Sequence, residues 1–390
     1  MATFVRYGKA FAAFCPAGGQ HATAIGSTHA FAKPMLISSF PLRWLKCSLH
    51  DALYIFMVFS NKCANVRLNR TNIKFILKIN AVWPTAGANA YLSSMNVFKH
   101  TIAAVAVLFS VAPLVARQDP TTPYRIYDTR AEREISLPEL VDAMQHVDVV
   151  FFGEEHNDSV AHVLQYELLR AMNERYDSVA LSMEMLVSDD QLVLDEYLAG
   201  LITELNFRRD AVLWKNYDDY RPVVEYAKTQ QLKVLAANAP SRYTNRVTRG
   251  GLESLEALSD AAKALLAPLP IDTLTGAYHE KFNTLLGEHQ SMATLKIYQS
   301  QTLWDATMAY RIGRFAGELP GVKILHLTGR FHSDEKLGTV AQLARYAPAL
   351  RVCNISCFSH MLFFDDPQWE SFRHLGDYVI LTDPSVDRTF

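Results

Sequence analysis

VDVVFFGEEHND, residues 147–158, carries the clearest fold signal in the chain. The mostly apolar run 147–152 predicts a buried strand that ends at Gly153. Asp158 or Ser159 is a typical N-cap residue for a helix that follows. A largely apolar strand connected by a short loop to a helix is the repeating unit of a parallel sheet that is buried on both faces. These twelve residues therefore indicate an α/β fold.

The same alternation continues on both sides of this stretch. Upstream, Ser136-Leu137-Pro138-Glu139 forms a capping box and predicts a helix that extends to about His146. Downstream, further apolar runs predict strands at 178–183, 232–237, 322–327, 350–358 and 378–381. The strand-poor segments between them have helical spacing and predict a cap at about 187–230 and 241–300. We expect a parallel sheet flanked by helices, with a smaller helical cap lobe.

Polar residues lie at or shortly after the ends of four predicted strands. They are Glu154, Glu155 and His156 after the first strand, Glu184 after the second, Arg242 just beyond the third, and His332 after the fourth. The carboxyl ends of parallel strands meet at one edge of the sheet, where ligands bind. Two of the ends share the pattern Gly-x-x-His, in which we expect the glycine to let the chain turn sharply off the strand. The sequence therefore predicts one site at this edge.

Each of these residues also has a purely structural explanation. A histidine after a strand is more often hydrogen-bonded than a ligand, and Glu154 or Glu155 can cap the following helix. Glu184 can form an ion pair with Arg242. An inherited scaffold, in which Glu184, Arg242 and His332 satisfy one another, therefore stands beside the functional interpretation.

The chain divides by charge into a basic leader and an acidic body. Residues 1–94 contain ten lysines and arginines and one acidic residue, Asp51, although the whole chain has a formal net charge of -2. From Met95, a basic residue, an apolar run and small residues near Ala116 follow in the order of a secretory signal peptide. We expect 1–94 to be upstream sequence from a misassigned start or a leader, and 95–116 to be a signal peptide. The mature domain, 117–390, is then extracytoplasmic, either periplasmic or secreted.

Several classes of protein are disfavoured by what the body lacks. Without a basic surplus it cannot neutralise phosphates, so we expect no nucleic-acid binding. The sequence has no GxSxG elbow, no GxGxxG after a strand and no phosphate-binding GxxxxGK[ST]. Cys353 and Cys357 lie too far apart on one strand face for a disulfide. No lipobox cysteine follows the signal region, so lipid anchoring lacks its acceptor and membrane association is left open.

Five motifs resemble those of the ChaN-like haem-binding uptake family, which belongs to a superfamily with the Tiki proteases, TraB proteins and erythromycin-esterase-like enzymes. They are GEEHND at 153–158, SMEM at 182–185, NAPSR at 238–242, QTLWDATMA at 301–309 and GRFHSD at 329–334. The similarity extends from about Ser136 to about Phe358. It implies the fold expected above and an exported, often lipid-anchored protein that binds haem, with a homodimer as the binding form.

The resemblance further implies that a tyrosine holds the haem iron, with histidine and lysine or arginine near the propionates. Ferric haem accepts a tyrosinate within an apolar pocket. The densest clusters of suitable residues are 214–221 and 276–281 in the predicted cap. The candidate haem-binding residues are Tyr217, Tyr220, Tyr278, His279, Lys281 and Arg242. Tyrosines at helical spacing are more often core residues, so the choice among them stays open.

Two functions of different classes follow. The first is a non-enzymatic haem-binding protein that acts in haem or iron uptake. The second is a Tiki-like hydrolase whose divalent metal is held by His156, His332 and Glu184 and activates a water molecule. Its catalytic residues would come from Glu154, Glu155, His156, Glu184 and His332. An erythromycin-esterase-like variant would use one histidine as the base without a metal.

Overall fold

The computed structural model describes residues 122–286 and 292–390 of the 390-residue chain. The predicted leader and signal peptide lie outside these residues. The strands are β1 (Tyr124–Asp128), β2 (Arg133–Ile135), β3 (Val149–Glu154), β4 (Val179–Val187), β5 (Lys233–Asn238), β6 (Lys323–Gly329), β7 (Val352–Ser359) and β8 (Tyr378–Thr382). They form one sheet in the order β2-β1-β8-β7-β3-β6-β4-β5.

Most of the sheet is parallel, which confirms the predicted fold class. Strands β8, β7, β3, β6, β4 and β5 run in parallel, whereas β1 is antiparallel to β2 and to β8. Our sequence analysis missed β1 and β2. They are short strands at one edge of the sheet, and they mix polar with apolar residues instead of forming a continuous apolar run.

The helices are α1 (Leu137–Ala143), α2 (Ser159–Arg175), α3 (Gln191–Leu198), α4 (Glu204–Asp210), α5 (Tyr217–Thr229), α6 (Ser241–Gly250), α7 (Asp260–Lys263), α8 (Ala277–Leu286), α9 (Met292–Glu318) and α10 (Gly338–Tyr346). The capping box before α1 is formed, since the hydroxyl of Ser136 accepts from the amide of Glu139 and the Glu139 carboxylate accepts from the amide of Ser136. Asp158 caps α2 by accepting from the amides of Val160 and Ala161.

Both faces of the sheet are covered, which explains why its central strands are mostly apolar. In β3, Val150 and Phe152 face a core that also contains residues of α2 and α5. Val149 and Phe151 face the opposite core, beneath α9 and α10. Alternate side chains of one strand therefore enter different layers, and both layers exclude water.

The helices of the predicted cap segments pack in two different ways. Those of 187–230 contribute Leu194, Tyr197 and Tyr220 to the same core as the sheet. Those of 241–271 pack in a separate cluster with Leu303 and Ala306 of α9, and α8 packs with Tyr298 of α9 in another. No helix within the described ranges combines the length and hydrophobicity that crossing a membrane requires.

Candidate functional site

The carboxyl edge of β3, β6 and β4 brings the predicted strand-end residues together. Glu154 is the last residue of β3 and pairs in register with Gly329, the last residue of β6. Strand β4 continues to Val187, so Glu184 lies inside this strand and does not follow it, which corrects the sequence prediction. The pairing of β4 with β5 is irregular between Met183 and Val187. Such irregularities redirect side chains at the edges of sheets.

Glu184 lies at the centre of this group and is almost completely buried. One carboxylate oxygen accepts hydrogen bonds from the Thr328 hydroxyl and the Gly329 amide, each at 2.7 Å. The other oxygen lies 3.5 Å from Nε2 of His332. Burial opposes ionisation of Glu184, but His332 and His156, together with these hydrogen bonds, outweigh it and lower its pKa to about 2. Glu184 is therefore a carboxylate at neutral pH.

His332 is held between two carboxylates. Its Nδ1 donates to Oδ1 of Asp305 at 2.7 Å, while its Nε2 faces Glu184. Burial favours the neutral imidazole, but the charges of Glu184 and Asp305 outweigh this effect and raise the pKa of His332 to about 9. His332 is accordingly an imidazolium at neutral pH.

His156 forms a second histidine–carboxylate pair on the opposite side of Glu184. Its Nδ1 lies 2.9 Å from Oε1 of the buried Glu154, which also accepts from the hydroxyl of Tyr220 at 2.5 Å and from Gln165. The imidazole meets the ring of Trp214 edge-on at 4.9 Å, and its side chain is 35% exposed. Burial lowers the pKa of His156, but the bond to Glu154 and the charge of Glu184 outweigh it, so the pKa is raised above its ordinary value.

The glycines of the two Gly-x-x-His patterns serve close packing. A Cβ on Gly329 would lie 2.7 Å from Nε2 of His156, and one on Gly153 would lie 2.4 Å from the Ser333 hydroxyl. Neither glycine has a positive φ. The chain therefore leaves each strand without using the backbone freedom that only glycine has. The glycines are required because each histidine-bearing loop packs directly on the end of the neighbouring strand.

Glu155 and Arg242 point away from this group. The carboxylate of Glu155 binds Arg388 at 2.7 Å and accepts from the amide of Ser359 at 3.4 Å. Arg242 forms its ion pair with Asp189, so the anticipated pair between Glu184 and Arg242 is not formed. The scaffold interpretation in its original form, with Arg242 as a member, is thus wrong.

The three predicted tyrosines are all buried, in two different settings. Tyr220 donates to Glu154, and Tyr278 donates to Asp305 at 2.6 Å. Burial and these carboxylates raise the pKa of both phenols well above 10. The hydroxyl of Tyr217 has no hydrogen-bond partner among the described residues, and the Arg208 guanidinium lies 4.9 Å from its ring centre.

His279 and Lys281 lie on α8, close to Tyr278. The ring of His279 packs on Tyr298 with 4.6 Å between ring centres. Lys281 pairs with Glu335 at 2.9 Å and lies 5.5 Å from the ring centre of Phe331. These two residues therefore flank an aromatic cluster at the side of the strand-end group.

Sequence reasoning missed the residues that support the two histidines from the helices. Asp305 and Gln301 lie four residues apart on α9 and so share one helix face, which is a signal that their motif already contained. Gln165 lies on α2, where nothing local distinguishes it from a surface glutamine. In the part of the chain that the structure describes, no three His, Cys, Asp or Glu side chains are placed to hold a metal ion.

A family model supplies the comparison that decides the family. The model, described as haem-binding uptake, Tiki superfamily, ChaN, matches residues 140–343, which is just over half of the chain. The chain belongs to the ChaN family. The match includes both histidine-bearing loops and Asp305, so the strand-end group of this ChaN-family protein lies wholly within the family's region.

Comparison with solved structures finds further similar proteins. The structure of ChaN of Campylobacter jejuni, determined with cofacially bound haem, is 19% identical at a TM-score of 0.53 and covers 67% of this chain and 98% of its own. This likeness shows the fold. An erythromycin esterase mutant in its open conformation is 14% identical at a TM-score of 0.37, covering 60% and 77%. No curated protein sequence matches the chain significantly.

Proposed function

We propose that this ChaN-family protein binds haem without catalysing a reaction and acts in haem or iron uptake outside the cytoplasm. The observation that carries the proposal is the family match over residues 140–343, which includes both the strand-end group and the tyrosine-bearing helices. The signal-like segment 95–116 supports the extracytoplasmic part.

Tyr217 fits an iron ligand better than the other two predicted tyrosines. Its hydroxyl is buried and unpartnered among the described residues, so ligating iron would break no existing hydrogen bond. The nearby Arg208 stabilises negative charge on the phenol oxygen, although burial still raises the pKa of Tyr217. Binding to a ferric iron supplies the opposite charge that a buried tyrosinate needs.

Tyr220 and Tyr278 fit this role poorly in the observed arrangement. Each donates its proton to a buried carboxylate, Glu154 or Asp305. Losing that proton would place two negative charges side by side in the interior, and each carboxylate would lose a donor at a cost of about 1–3 kcal/mol. A ligand role for either would require the strand-end group to rearrange.

One cation that could bind a propionate, Lys215, lies near Tyr217 in sequence. Lys215 is exposed, two residues before Tyr217, and forms no ion pair within the described ranges. It can therefore bind a carboxylate without giving up a partner. Lys281 and Arg242 are already paired with Glu335 and Asp189, so they would have to exchange partners.

Haemin titration of the purified protein tests the proposal. We expect a high-spin ferric spectrum with a charge-transfer band, lost in Tyr217→Phe and kept in Tyr220→Phe and Tyr278→Phe. Tyr298→Phe is the matched control, because it removes the hydroxyl of another buried tyrosine, which donates to the carbonyl of Leu274. A wild-type protein that leaves the haemin spectrum unchanged overturns haem binding. Loss of the band in a different variant reassigns the ligand.

One observation favours hydrolysis as a second candidate function. Two histidine–carboxylate pairs, His156 with Glu154 and His332 with Asp305, lie on either side of the ionised Glu184. Such pairs fix the orientation of an imidazole for acid–base catalysis. Because the described residues offer no set of three placed ligands for a metal, this geometry supports the metal-free variant over the Tiki-like one.

The same set of variants separates the two functions. Under haem binding, His156→Ala and His332→Ala keep the charge-transfer band, because neither residue contacts Tyr217. Under hydrolysis, both variants abolish turnover of ester and peptide substrates, while Tyr217→Phe leaves it unchanged. Metal analysis of the untreated protein shows whether the hydrolytic site carries an ion that the alanine variants release.

A further inference from the structure

Asp305 on α9 is completely buried, yet none of its neighbours in sequence pairs with it. Three donors from three other elements converge on its carboxylate. Oδ1 accepts from His332 at 2.7 Å and from the Thr339 hydroxyl at 2.8 Å, and Oδ2 accepts from Tyr278 at 2.6 Å. A buried carboxylate costs several kcal/mol unless it is bonded in this way, so the four side chains form one unit.

We infer that Asp305 is a positioning residue of the strand-end group, which fixes the His332 ring with Nε2 towards Glu184 and connects Tyr278 of α8 to that group. Asp305 provides the shortest contact to the Nδ1 edge of the imidazole, at 2.7 Å, and the neutral amide of Gln301 lies 3.2 Å from the same nitrogen. Tyr278 then acts at this edge of the sheet through Asp305. Haem-free protein is sufficient to observe this arrangement, so the inference does not rest on the proposed function.

Gly338 shows independently how tightly this unit is built. Its φ of +52° is one that side chains rarely adopt. A Cβ there would lie 2.7 Å from the carbonyl oxygen of His332 and 3.0 Å from both Asp305 Oδ1 and the Tyr278 hydroxyl. The first residue of α10 thus closes directly on the cluster, and only glycine allows this approach.

Two carboxylates face the His332 ring, and Asp305 is the one that bonds Nδ1. On the Nε2 side it faces Glu184 of β4 at 3.5 Å, and His156 lies beyond Glu184. On the Nδ1 side it faces Asp305 and the neutral amide of Gln301, and Tyr278 lies behind them, bonded to both. Beneath it in β6, His326 bonds the Ser182 hydroxyl, and burial lowers the pKa of His326 to about 3, so this residue is neutral. Asp305 is therefore the charged partner that bonds Nδ1.

Proton NMR of the full chain tests the inference through the Nδ1 proton of His332. A proton held between an imidazole and a buried carboxylate at 2.7 Å resonates far downfield of the amide region, and burial slows its exchange with water. We expect this resonance in the wild type and its loss in His332→Gln, which assigns it, and in Asp305→Asn. Tyr278→Phe should move it further downfield, because Asp305 loses a donor and bonds His332 more strongly.

Two variants make the test decisive. Tyr298→Phe removes a buried hydroxyl from the same aromatic cluster that does not touch Asp305, and the resonance should not move. If Asp305→Asn fails to fold by circular dichroism, Thr339→Val takes its place and should shift the resonance downfield, as Tyr278→Phe does. A wild type without the resonance, its survival in folded Asp305→Asn, or an equal shift in Tyr298→Phe would overturn the inference.

Discussion

At the scale of single residues, the strand-end group is organised by three buried carboxylates. Glu154, Glu184 and Asp305 each accept at least two hydrogen bonds, and each lies against a histidine. A buried carboxylate that lost these partners would be strongly destabilising. The residue types at this edge therefore depend on one another, and a change at one position alters the charge at its neighbours.

Gly329→Ala should disturb His156 without straining the backbone. The φ of −63° and ψ of 137° at Gly329 suit alanine, but its methyl group would lie 2.7 Å from the imidazole Nε2. We expect His156 to move away from Glu184 and the free energy of unfolding to fall by about 1–3 kcal/mol. Urea unfolding measures the change.

Gly317→Ala on α9 is the control, because that position has open space and alanine should stabilise the helix there by about 0.5–1 kcal/mol. Equal stability of Gly329→Ala and the wild type would contradict the packing argument.

At the scale of elements, the apolar strands were predictable and the edge strands were not. Runs such as 147–152 and 322–327 identify β3 and β6 because both of their faces are buried. β2 has three residues and no such pattern. The polar residues that follow the strands could be placed at one edge from topology alone. The sequence shows that Asp305 shares a helix face with Gln301, but the contacts of Asp305 with His332 and of Gln165 with Glu154 depend on side-chain directions that only the packed fold determines.

The contact between β4 and β6 should make stability depend on pH in both directions. Glu184 has its pKa lowered from 4.5 to about 2, so its contribution is present above pH 4.5 and is lost as pH falls through 2. His332 has its pKa raised from 6.5 to about 9, so its contribution is present below pH 6.5 and is lost as pH rises through 9. We expect the melting temperature to be highest between these limits, and Glu184→Gln to flatten both sides.

Glu204→Gln is the matched control for this pH profile. Glu204 also has a pKa lowered to about 2, but its partners are Arg221 and Arg208, which do not titrate in this range. Its loss should change only the acid side. Melting curves at about pH 3, 5.5 and 9 distinguish the two variants. An alkaline side that Glu184→Gln leaves as steep as in the wild type would show that Glu184 does not maintain the charge on His332.

At the scale of the whole molecule, the helices on the two faces of the sheet contribute similar partners to one edge. From one side, α5 brings the hydroxyl of Tyr220 to Glu154, which bonds His156. From the other, α8 brings the hydroxyl of Tyr278 to Asp305, which bonds His332. Glu184 lies between the two histidines. The covered sheet leaves its carboxyl edge as the place where both helical layers meet, which is why the charged residues concentrate there.

The proposed export also concerns the whole molecule, and we expect it to depend on translation from Met95. The segment from Lys99 to Ala116 has the layout of a signal peptide, and signal peptides lie at the N-terminus of the translated chain. Material secreted by the native host should therefore begin near Arg117 on N-terminal sequencing.

Replacing Met95 by Leu is the sharper test of the start site. It should abolish export if translation starts there, and Met35→Leu, at another methionine of the leader, should have no effect. Recovery of peptides from residues 1–94 in the exported protein would contradict this start site and favour a longer leader that is processed differently.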